Sequence, residues 1–319
     1  MRRVFCYNKI MDGIKIYYFS GTGNCLWTAR RIAEELGEER TAATDGMTDN
    51  TTEATDNITE ADDNTTSQVP KSVELVAITA ELIDARPAVQ CDVCVLVFPS
   101  YAYGLPTLVR RFLKNSTFKV NYFAAVSTCG SHTGGSFTSI KRFLKKKKQA
   151  LHFAAEVRSV ENYVHIFGFT KEPKLSERLH NQAEKTAAAG ELLAARTVNK
   201  VRNFRPFSAL INLLFRAAKC AFPLFYKVKK TCNGCGLCYS ICPSAAITMV
   251  HEKDKKARKS GVMVQKDDLK RPKFAAMKCD HCQACMQWCP KRAIKFMRVT
   301  PRSLRYHHPE VGVNELRKR

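Results

Sequence analysis

Two short runs of cysteine constrain this chain more than any other feature of its sequence. The first run reads TCNGCGLCYSICP and the second reads KCDHCQACMQWCP, and both follow the pattern C-x2-C-x2-C-x3-C-P. The thiols that they contribute are Cys232, Cys235, Cys238, Cys242, Cys279, Cys282, Cys285 and Cys289. Thiols at such short, repeated intervals are typical of ligands to a metal centre rather than of a disulfide framework.

The spacing favours two [4Fe-4S] clusters. Three thiolates at three-residue intervals on a coiled loop can reach three irons of one cubane, whereas the fourth enters a helix and serves the neighbouring cluster. The predicted ligands are therefore crossed, with Cys289 joining the first three thiols of the first run and Cys242 joining those of the second. A pair of four-thiolate zinc sites is the alternative, although zinc knuckles usually pair one C-x2-C with a distant second one.

The two runs also predict details of the coils. Each Cys-Pro is followed by a matching piece, SAAITM or KRAIKF, which indicates one half-domain used twice. Gly236 relieves the first coil, whereas Gln283 stands at the equivalent place in the second, so we expect the two backbones to differ. We expect His281, inside the second coil, to be an outward side chain rather than an iron ligand.

Residues 228–299 resemble the two-cluster ferredoxins, a small α+β fold. One departure is the length of chain between Cys242 and Cys279, which includes the lysine-rich EKDKKARKSG. We interpret it as a lengthened, exposed hairpin.

Composition limits the setting of the protein. The other six cysteines (Cys6, Cys25, Cys91, Cys94, Cys129 and Cys220) are scattered, and no secretory leader is apparent, which predicts a reducing, cytoplasmic location with Met1 or Met11 as the start. The formal charge is +23, and from Lys227 onward 22 Lys and Arg stand against 7 Asp and Glu. Such a field favours an acidic protein, a nucleic acid or an anionic membrane surface as partner.

Residues 1–171 are predicted to form an α/β domain. The strand candidates are IKIYYF, VELVAI, VCVLVF, YFAAVST and LHFAAEV, with the helix CLWTARRIAEEL after the first. This alternation predicts a doubly wound, five-stranded parallel sheet in which VCVLVF and YFAAVST are buried on both faces. Residues 41–68 interrupt it with an acidic seven-residue repeat, which we interpret as a disordered insertion.

Residues 172–227 are predicted to be a helical connector, and residues 300–319 a basic tail. After Pro206 the apolar residues recur at helical spacing until Pro223 and form one wide stripe. Packing between the two domains is the expected role of this stripe. Peripheral membrane contact through residues 206–226 is the alternative.

The segment SGTGNC follows the first predicted strand and opens onto a helix. Its free backbone N–H groups, its hydroxyls and the helix dipole predict a phosphate site formed by Ser20, Gly21, Thr22, Gly23 and Asn24. A P-loop requires Gly-Lys-Ser/Thr, and the dinucleotide fingerprint requires a third glycine where Leu26 stands. The segment resembles the flavodoxin phosphate loop, which holds the monoester of FMN. Cys25 replaces the final hydroxyl of that pattern, and we expect the side-chain amide of Asn24 to compensate.

Two further loops follow the third and fourth predicted strands, where a doubly wound sheet exposes its ligand crevice. The predicted binding residues in these loops are Pro99, Ser100, Tyr101, Tyr103, Gly104, Thr128, Cys129, Gly130 and Ser131. The two tyrosines can stack on a flat ring, and the small residues offer N–H groups to its edge.

The whole chain resembles the flavodoxin–ferredoxin fusion family, the EFR-type ferrodoxins. YYFSGTGN, FPSYAYGLP, VRSVENY and the two cysteine runs carry the resemblance. It implies an electron-transfer protein that holds FMN and two [4Fe-4S] clusters and exchanges electrons with an external partner, for which the basic charge favours an acidic redox protein. The alternatives are a flavin-dependent reductase of a small molecule or quinone and, less favoured, a nucleic-acid-binding protein with structural clusters.

Overall fold

The computed structural model describes residues 13–37, 72–164, 168, 170–200, 206–219, 221–251, 270–296 and 305–317. The predicted acidic insertion and the lysine-rich tip of the hairpin lie outside these residues, as do Cys6 and Cys220. Among the helices described, none has both the length and the apolar composition needed to cross a bilayer.

The N-terminal part of the chain is a parallel sheet with helices on both faces. Its elements are β1 (Ile14–Tyr18), α1 (Asn24–Gly37), β2 (Val73–Ala77), α2 (Ala80–Asp84), β3 (Ala88–Pro99), α3 (Thr107–Asn115), β4 (Thr117–Cys129), α4 (Ser136–Lys145) and β5 (Phe153–Arg158). The strand order is β2-β1-β3-β4-β5, and every pairing is parallel. This is the flavodoxin-like order of a doubly wound sheet, and it confirms the predicted fold.

The central strands β3 and β4 lie between two apolar cores. One core contains side chains of α1, among them Leu26 and Ile32, and the other contains side chains of α3 and α4, among them Phe112 and Ile140. Most side chains of β3 and β4 are buried, as their near-continuous apolar sequences predict. The switch in strand order beside β1 opens a crevice at the carboxyl ends of these strands.

In the described part of the chain, the sheet is followed by the helices α5 (Lys174–Ala194) and α6 (Pro206–Ala218). Helix α5 packs along α1 and β5. Small residues permit the close approach, since a side chain at Gly190 would meet Glu35. The amide of Gln182 also donates to the carbonyl of Asn24, at 3.2 Å. Helix α5 therefore covers the sheet as well as connecting it to the C-terminal part of the chain.

The described residues of the C-terminal part form four short strands and two single-turn α-helices. They are β6 (Tyr226–Val228), α7 (Leu237–Ser240), β7 (Ile247–His251), β8 (Lys270–Phe274), α8 (Ala284–Gln287) and β9 (Ile294–Phe296). β6 pairs antiparallel with β9, and β7 pairs antiparallel with β8. Each cysteine run thus lies between one strand of each pair, which is the twofold arrangement that the matching sequence pieces predict.

Residues 305–317 join the two parts of the chain. The ring of His308 stacks on Trp27, with centroids 4.9 Å apart, and the ring of His307 stacks on Trp288, at 4.0 Å. Arg305 donates to the carbonyl of Met286, at 2.9 Å. The segment therefore holds α1 and the second cysteine run in fixed relative positions.

Candidate functional site

A pocket of about 270 Å³ lies at the carboxyl ends of β1, β3, β4 and β5. The loops after these strands and the second cysteine run form its walls. The predicted binding residues that line it are Ser20, Gly21, Thr22, Asn24, Pro99, Ser100, Tyr101, Tyr103, Thr128, Cys129, Gly130 and Ser131. The structure therefore brings all three predicted loops to one cavity, which we call the crevice pocket.

Gly23 and Gly104 lie outside this lining. Gly23 has a φ of 99°, and a Cβ there would lie 2.9 Å from the Cβ of His308. A Cβ on Gly104 would collide with the side chain of Asn212. Both glycines permit other segments to pack closely, and their contact with a cofactor stays a prediction.

The loop after β1 has the compact shape of an anion cradle. The hydroxyl of Ser20 accepts a hydrogen bond from the N–H of Gly23, at 3.1 Å, and that of Thr22 accepts one from the amide of Asn162, also at 3.1 Å. Ser20 and Thr22 are buried. The expectation for Asn24 is wrong, because its side chain donates to the carbonyl of Val160 and accepts from Tyr306. Its backbone N–H at the start of α1 is what it can offer a phosphate.

Two aromatic rings line the side of the pocket after β3. Tyr103 stacks on His132, with centroids 4.3 Å apart and planes at 17°. The backbone at Ala102 and Tyr103 is left-handed, with φ of 44° and 62°, a conformation that ligand-binding loops retain at a cost of about 1 kcal/mol or more per residue. The buried hydroxyl of Tyr101 meets no hydrogen-bond partner among the described residues. A cradle, a flat wall and an unpaired buried hydroxyl fit a phosphorylated aromatic cofactor such as FMN.

Two cysteines line the pocket as protonated thiols. Burial raises the pKa of Cys25 to about 12, and its sulfur lies 3.0 Å from the hydroxyl of Thr128. Burial, together with the negative charge of Glu156, raises the pKa of Cys129 well above its usual value. A thiol held in this state is a poor nucleophile.

Sequence reasoning missed part of the lining. The loop after β5 contributes Ser159, Val160, Glu161, Asn162 and Tyr163, and the region of α6 contributes Ile211, Phe215 and Phe222. The β5 loop could have been found, because it also follows a strand at the carboxyl edge and belongs to the stretch VRSVENY. The α6 residues could not, because helical periodicity does not tell which side of a stripe meets a pocket.

The two cysteine coils have the same backbone shape. Gly234 and Gly236 in the first coil have φ of 72° and 74°, and His281 and Gln283 in the second have φ of 58° and 66°. The expectation that the coils differ is therefore wrong. Gln283 adopts the left-handed conformation despite its side chain, since the spacing of the thiols imposes the same turn on both coils.

The expected outward position of His281 is also wrong. Its side chain is buried and lines the crevice pocket. The hydroxyl of Tyr163 lies 3.1 Å from its Nδ1, and the ring of Phe222 lies 4.7 Å away, edge to face. The equivalent position in the first coil is Gly234, so only the second coil carries a side chain at this position.

The thiols form two groups that follow the crossed pattern. Cys232, Cys235, Cys238 and Cys289 line one small cavity, and we call them the outer cysteine group. Burial is the first cause that raises the pKa values of Cys279, Cys282 and Cys285, and the nearby Cys242 raises each of them further. We call these four the inner cysteine group. In both runs the last thiol accepts a backbone hydrogen bond at 3.3 Å, from Ala246 to Cys242 and from Ala293 to Cys289.

The chemistry of this donor set fits iron–sulfur clusters. Each of the two groups supplies four thiols, which is the ligand number of a [4Fe-4S] cluster. Burial is the first cause that raises the pKa of both Cys238 and Cys279 to about 12. Thiolates at such positions require a strongly cationic centre beside them.

The second coil and the anion cradle are in direct contact. A Cβ on Gly21 would lie 2.5 Å from the carbonyl oxygen of Cys282, and the indole N–H of Trp288 donates to the carbonyl of Gly21, at 3.0 Å. Beside this contact, the carboxylate of Asp280 accepts from the N–H groups of Thr107 and Leu108, both at 2.7 Å, at the start of α3. The crevice pocket and the inner cysteine group therefore share one wall.

Residues 231–301 match the family model described as a 4Fe-4S dicluster domain. The C-terminal part of the chain is a 4Fe-4S dicluster domain. It is joined to a flavodoxin-like domain, as the resemblance to flavodoxin–ferredoxin fusions implies. Comparison with curated proteins gives no match.

Solved structures similar to the flavodoxin-like domain include a flavodoxin from Streptococcus pneumoniae TIGR4. It is 16% identical with a TM-score of 0.29, and the match covers 55% of this chain and 98% of that one. The flavodiiron core of Flv1 from Synechocystis is 14% identical with a TM-score of 0.30, covering 57% of this chain and 37% of that one. At such values the fold assignment depends on the strand order of the sheet itself.

Proposed function

We propose that this protein transfers electrons between FMN in the crevice pocket, two [4Fe-4S] clusters of the dicluster domain and an external redox partner. The observation that carries the proposal is the contact between Gly21 of the anion cradle and Cys282 of the inner cysteine group. A cofactor in the crevice pocket and a cluster on these thiols would have only one layer of protein between them.

The pocket residues have separate tasks in this proposal. The loop from Ser20 to Asn24 would hold the phosphate, and Tyr101 and Tyr103 would flank the ring. FMN supplies the exchange of one or two electrons, and each cluster supplies the exchange of one. Phe215 and Phe222 border the pocket on the side of α6 and would limit the access of water to it.

The two cysteine groups would act in sequence. The inner group lies beside the crevice pocket, because Cys282 approaches Gly21 of the pocket lining, whereas the outer group contains Cys235, which is exposed. Electrons would therefore pass between the pocket and the inner cluster, then the outer cluster, and reach the external partner at the surface near Cys235.

The surroundings of the outer group support an acidic partner. Lys291 lines the same cavity as the outer thiols, and Lys230 and Arg292 are exposed beside them. Cationic side chains around an exposed redox centre attract an acidic protein and orient it for transfer. We therefore propose an acidic redox protein, such as an acidic ferredoxin, as the exchange partner.

Salt dependence tests this proposal. With an acidic ferredoxin as donor, we expect the second-order rate of reduction of the clusters to fall about tenfold or more as ionic strength rises from low to high. Stopped-flow absorbance under anaerobic conditions measures it, and Lys291→Gln combined with Arg292→Gln should weaken the salt dependence. The matched control Lys174→Gln with Lys185→Gln, on α5, should leave it unchanged. A rate that is indifferent to salt would contradict docking of an acidic partner here.

A further inference from the structure

Helix α6 exposes four of its large apolar side chains to solvent. Phe207, Leu210, Leu213 and Leu214 are exposed by 74%, 52%, 59% and 61%, and we call these four the apolar face. The buried side chains of the helix are polar, Ser208 and Asn212. The amide of Asn212 donates to the carbonyls of Tyr101 and Ala102, at 3.2 and 3.1 Å. Polar anchors thus hold the helix on the α/β domain while its apolar residues meet solvent.

Two more large apolar side chains are exposed shortly after the helix. Leu224 and Phe225, in the short 3-10 helix after α6, are exposed by 75% and 44%. Monomeric proteins rarely expose a large contiguous apolar patch, and such patches usually mark an interaction site. Since two successive elements present apolar side chains to solvent, we interpret this surface as a docking site.

A cavity rich in arginine adjoins the apolar face. It has a volume of about 230 Å³, and its walls include Arg110, Arg142 and Arg216 together with Leu213 of the apolar face. No Asp or Glu is among the described residues that line it. Burial, and then the positive charge of Arg216, lower the pKa of Arg110 to about 10. The cavity thus collects positive charge without a lining carboxylate to balance it.

The start of α4 also faces this arginine cavity. Gly135, Thr138 and Ser139, of its first turn, line the wall, and α4 has no side-chain cap at its N-terminus. Helix N-termini favour negative charge. Three guanidinium groups and a helix start therefore make an environment suited to a phosphate group.

We propose that the apolar face and the arginine cavity form one docking site for the surface of an anionic phospholipid bilayer. The apolar side chains of α6 would enter the acyl boundary, and a lipid phosphate would occupy the arginine cavity. Leu213 belongs to both, which places the cavity at the edge of the apolar face, where lipid headgroups would lie. An amphipathic helix of this kind gains affinity from the apolar area that it buries and from its attraction to anionic lipid. The chain's charge of +23 strengthens the attraction to anionic lipid.

The bilayer is favoured over a protein partner by this combination of chemistry. Leucine and phenylalanine project from a short helix beside arginines, the pattern of helices that lie in the plane of the bilayer interface. The opposite side of α6 lines the crevice pocket through Ile211 and Phe215. Docking would therefore place the crevice pocket one helix away from the membrane.

Vesicle sedimentation with the full, anaerobically prepared protein tests the proposal. We expect binding to phosphatidylglycerol-containing vesicles, and at least tenfold weaker binding both for Leu210→Ser with Leu214→Ser and for Arg142→Gln with Arg216→Gln. The controls match them in exposure or charge and lie outside the docking site. Leu192→Ser with Val198→Ser controls the apolar change, and Lys174→Gln with Lys185→Gln controls the loss of charge; both should bind as the unaltered protein does.

Three outcomes would overturn the proposal. One is the absence of binding to anionic vesicles. Another is equal loss in the test and control variants, because general charge attraction by the basic chain would then explain the binding. The third is binding of glycerol phosphate from solution to the arginine cavity, together with vesicle binding that does not depend on the apolar face. A soluble phosphorylated ligand would then be the occupant of the cavity. Cluster and flavin content of each variant, which should stay unchanged, separates these outcomes from misfolding.

Discussion

Gly21→Ala is expected to weaken FMN binding at least about tenfold and to disturb the inner cluster. The added Cβ would lie 2.5 Å from the carbonyl oxygen of Cys282. That oxygen belongs to the backbone of a coil that its thiols hold in place. Neither the loop nor the coil can therefore move away without strain. Overpacking of this kind costs about 1–3 kcal/mol, and the strain would fall on the loop that we propose holds the phosphate. Titration of the flavin-free protein with FMN, followed by flavin fluorescence, measures the loss.

Gly135→Ala is the matched control. Nothing lies within 4 Å of a Cβ at Gly135, its φ is −86°, and it is not among the crevice-pocket lining. FMN affinity should stay within about twofold of that of the unaltered protein. Equal affinities for Gly21→Ala and the unaltered protein would show that the cradle does not depend on its contact with the cysteine coil.

Combining Cys242→Ser with Cys282→Ser is expected to remove no more iron than either change alone. With crossed ligation both thiols serve one cluster, so each single variant and the double variant should hold about four irons instead of about eight. Cys242→Ser with Cys235→Ser should lose nearly all iron, because these thiols belong to different groups although they lie in the same run. Iron and sulfide analysis of anaerobically purified protein measures both.

The opposite result would contradict crossed ligation. If the pair from one run retained four irons and the pair from different runs lost them all, each run would hold its own cluster. Flavin content should remain near one per chain in Cys235→Ser, since the outer cysteine group does not border the crevice pocket.

The architecture could be predicted from the sequence because the periodicity of apolar residues depends only on residues that are close together in the chain. The apolar runs in β3 and β4 predict buried parallel strands, and the glycines after β1 predict the cradle that the structure contains. The cysteine spacing is equally local, and the grouping of thiols agrees with the crossed arrangement.

The errors of sequence reasoning concern which surface a residue meets. His281 is polar and lies in a coil, yet it is buried because the second coil packs on the α/β domain. The stripe of α6 was expected to pack between domains, but Phe207, Leu210 and Leu214 are exposed. Each of these outcomes depends on contacts between distant segments, which the pattern of a single segment does not determine.

Flash photoreduction of the full protein tests most directly whether a flavin in the crevice pocket and the inner cluster exchange electrons. After one electron is delivered to the protein, we expect the flavin and cluster absorbance bands to change together in a first-order phase whose rate is independent of protein concentration. That phase should vanish in Cys282→Ser and persist in Cys235→Ser. A phase whose rate rises in proportion to protein concentration, or one that survives Cys282→Ser unchanged, would contradict direct transfer across the contact between Gly21 and Cys282.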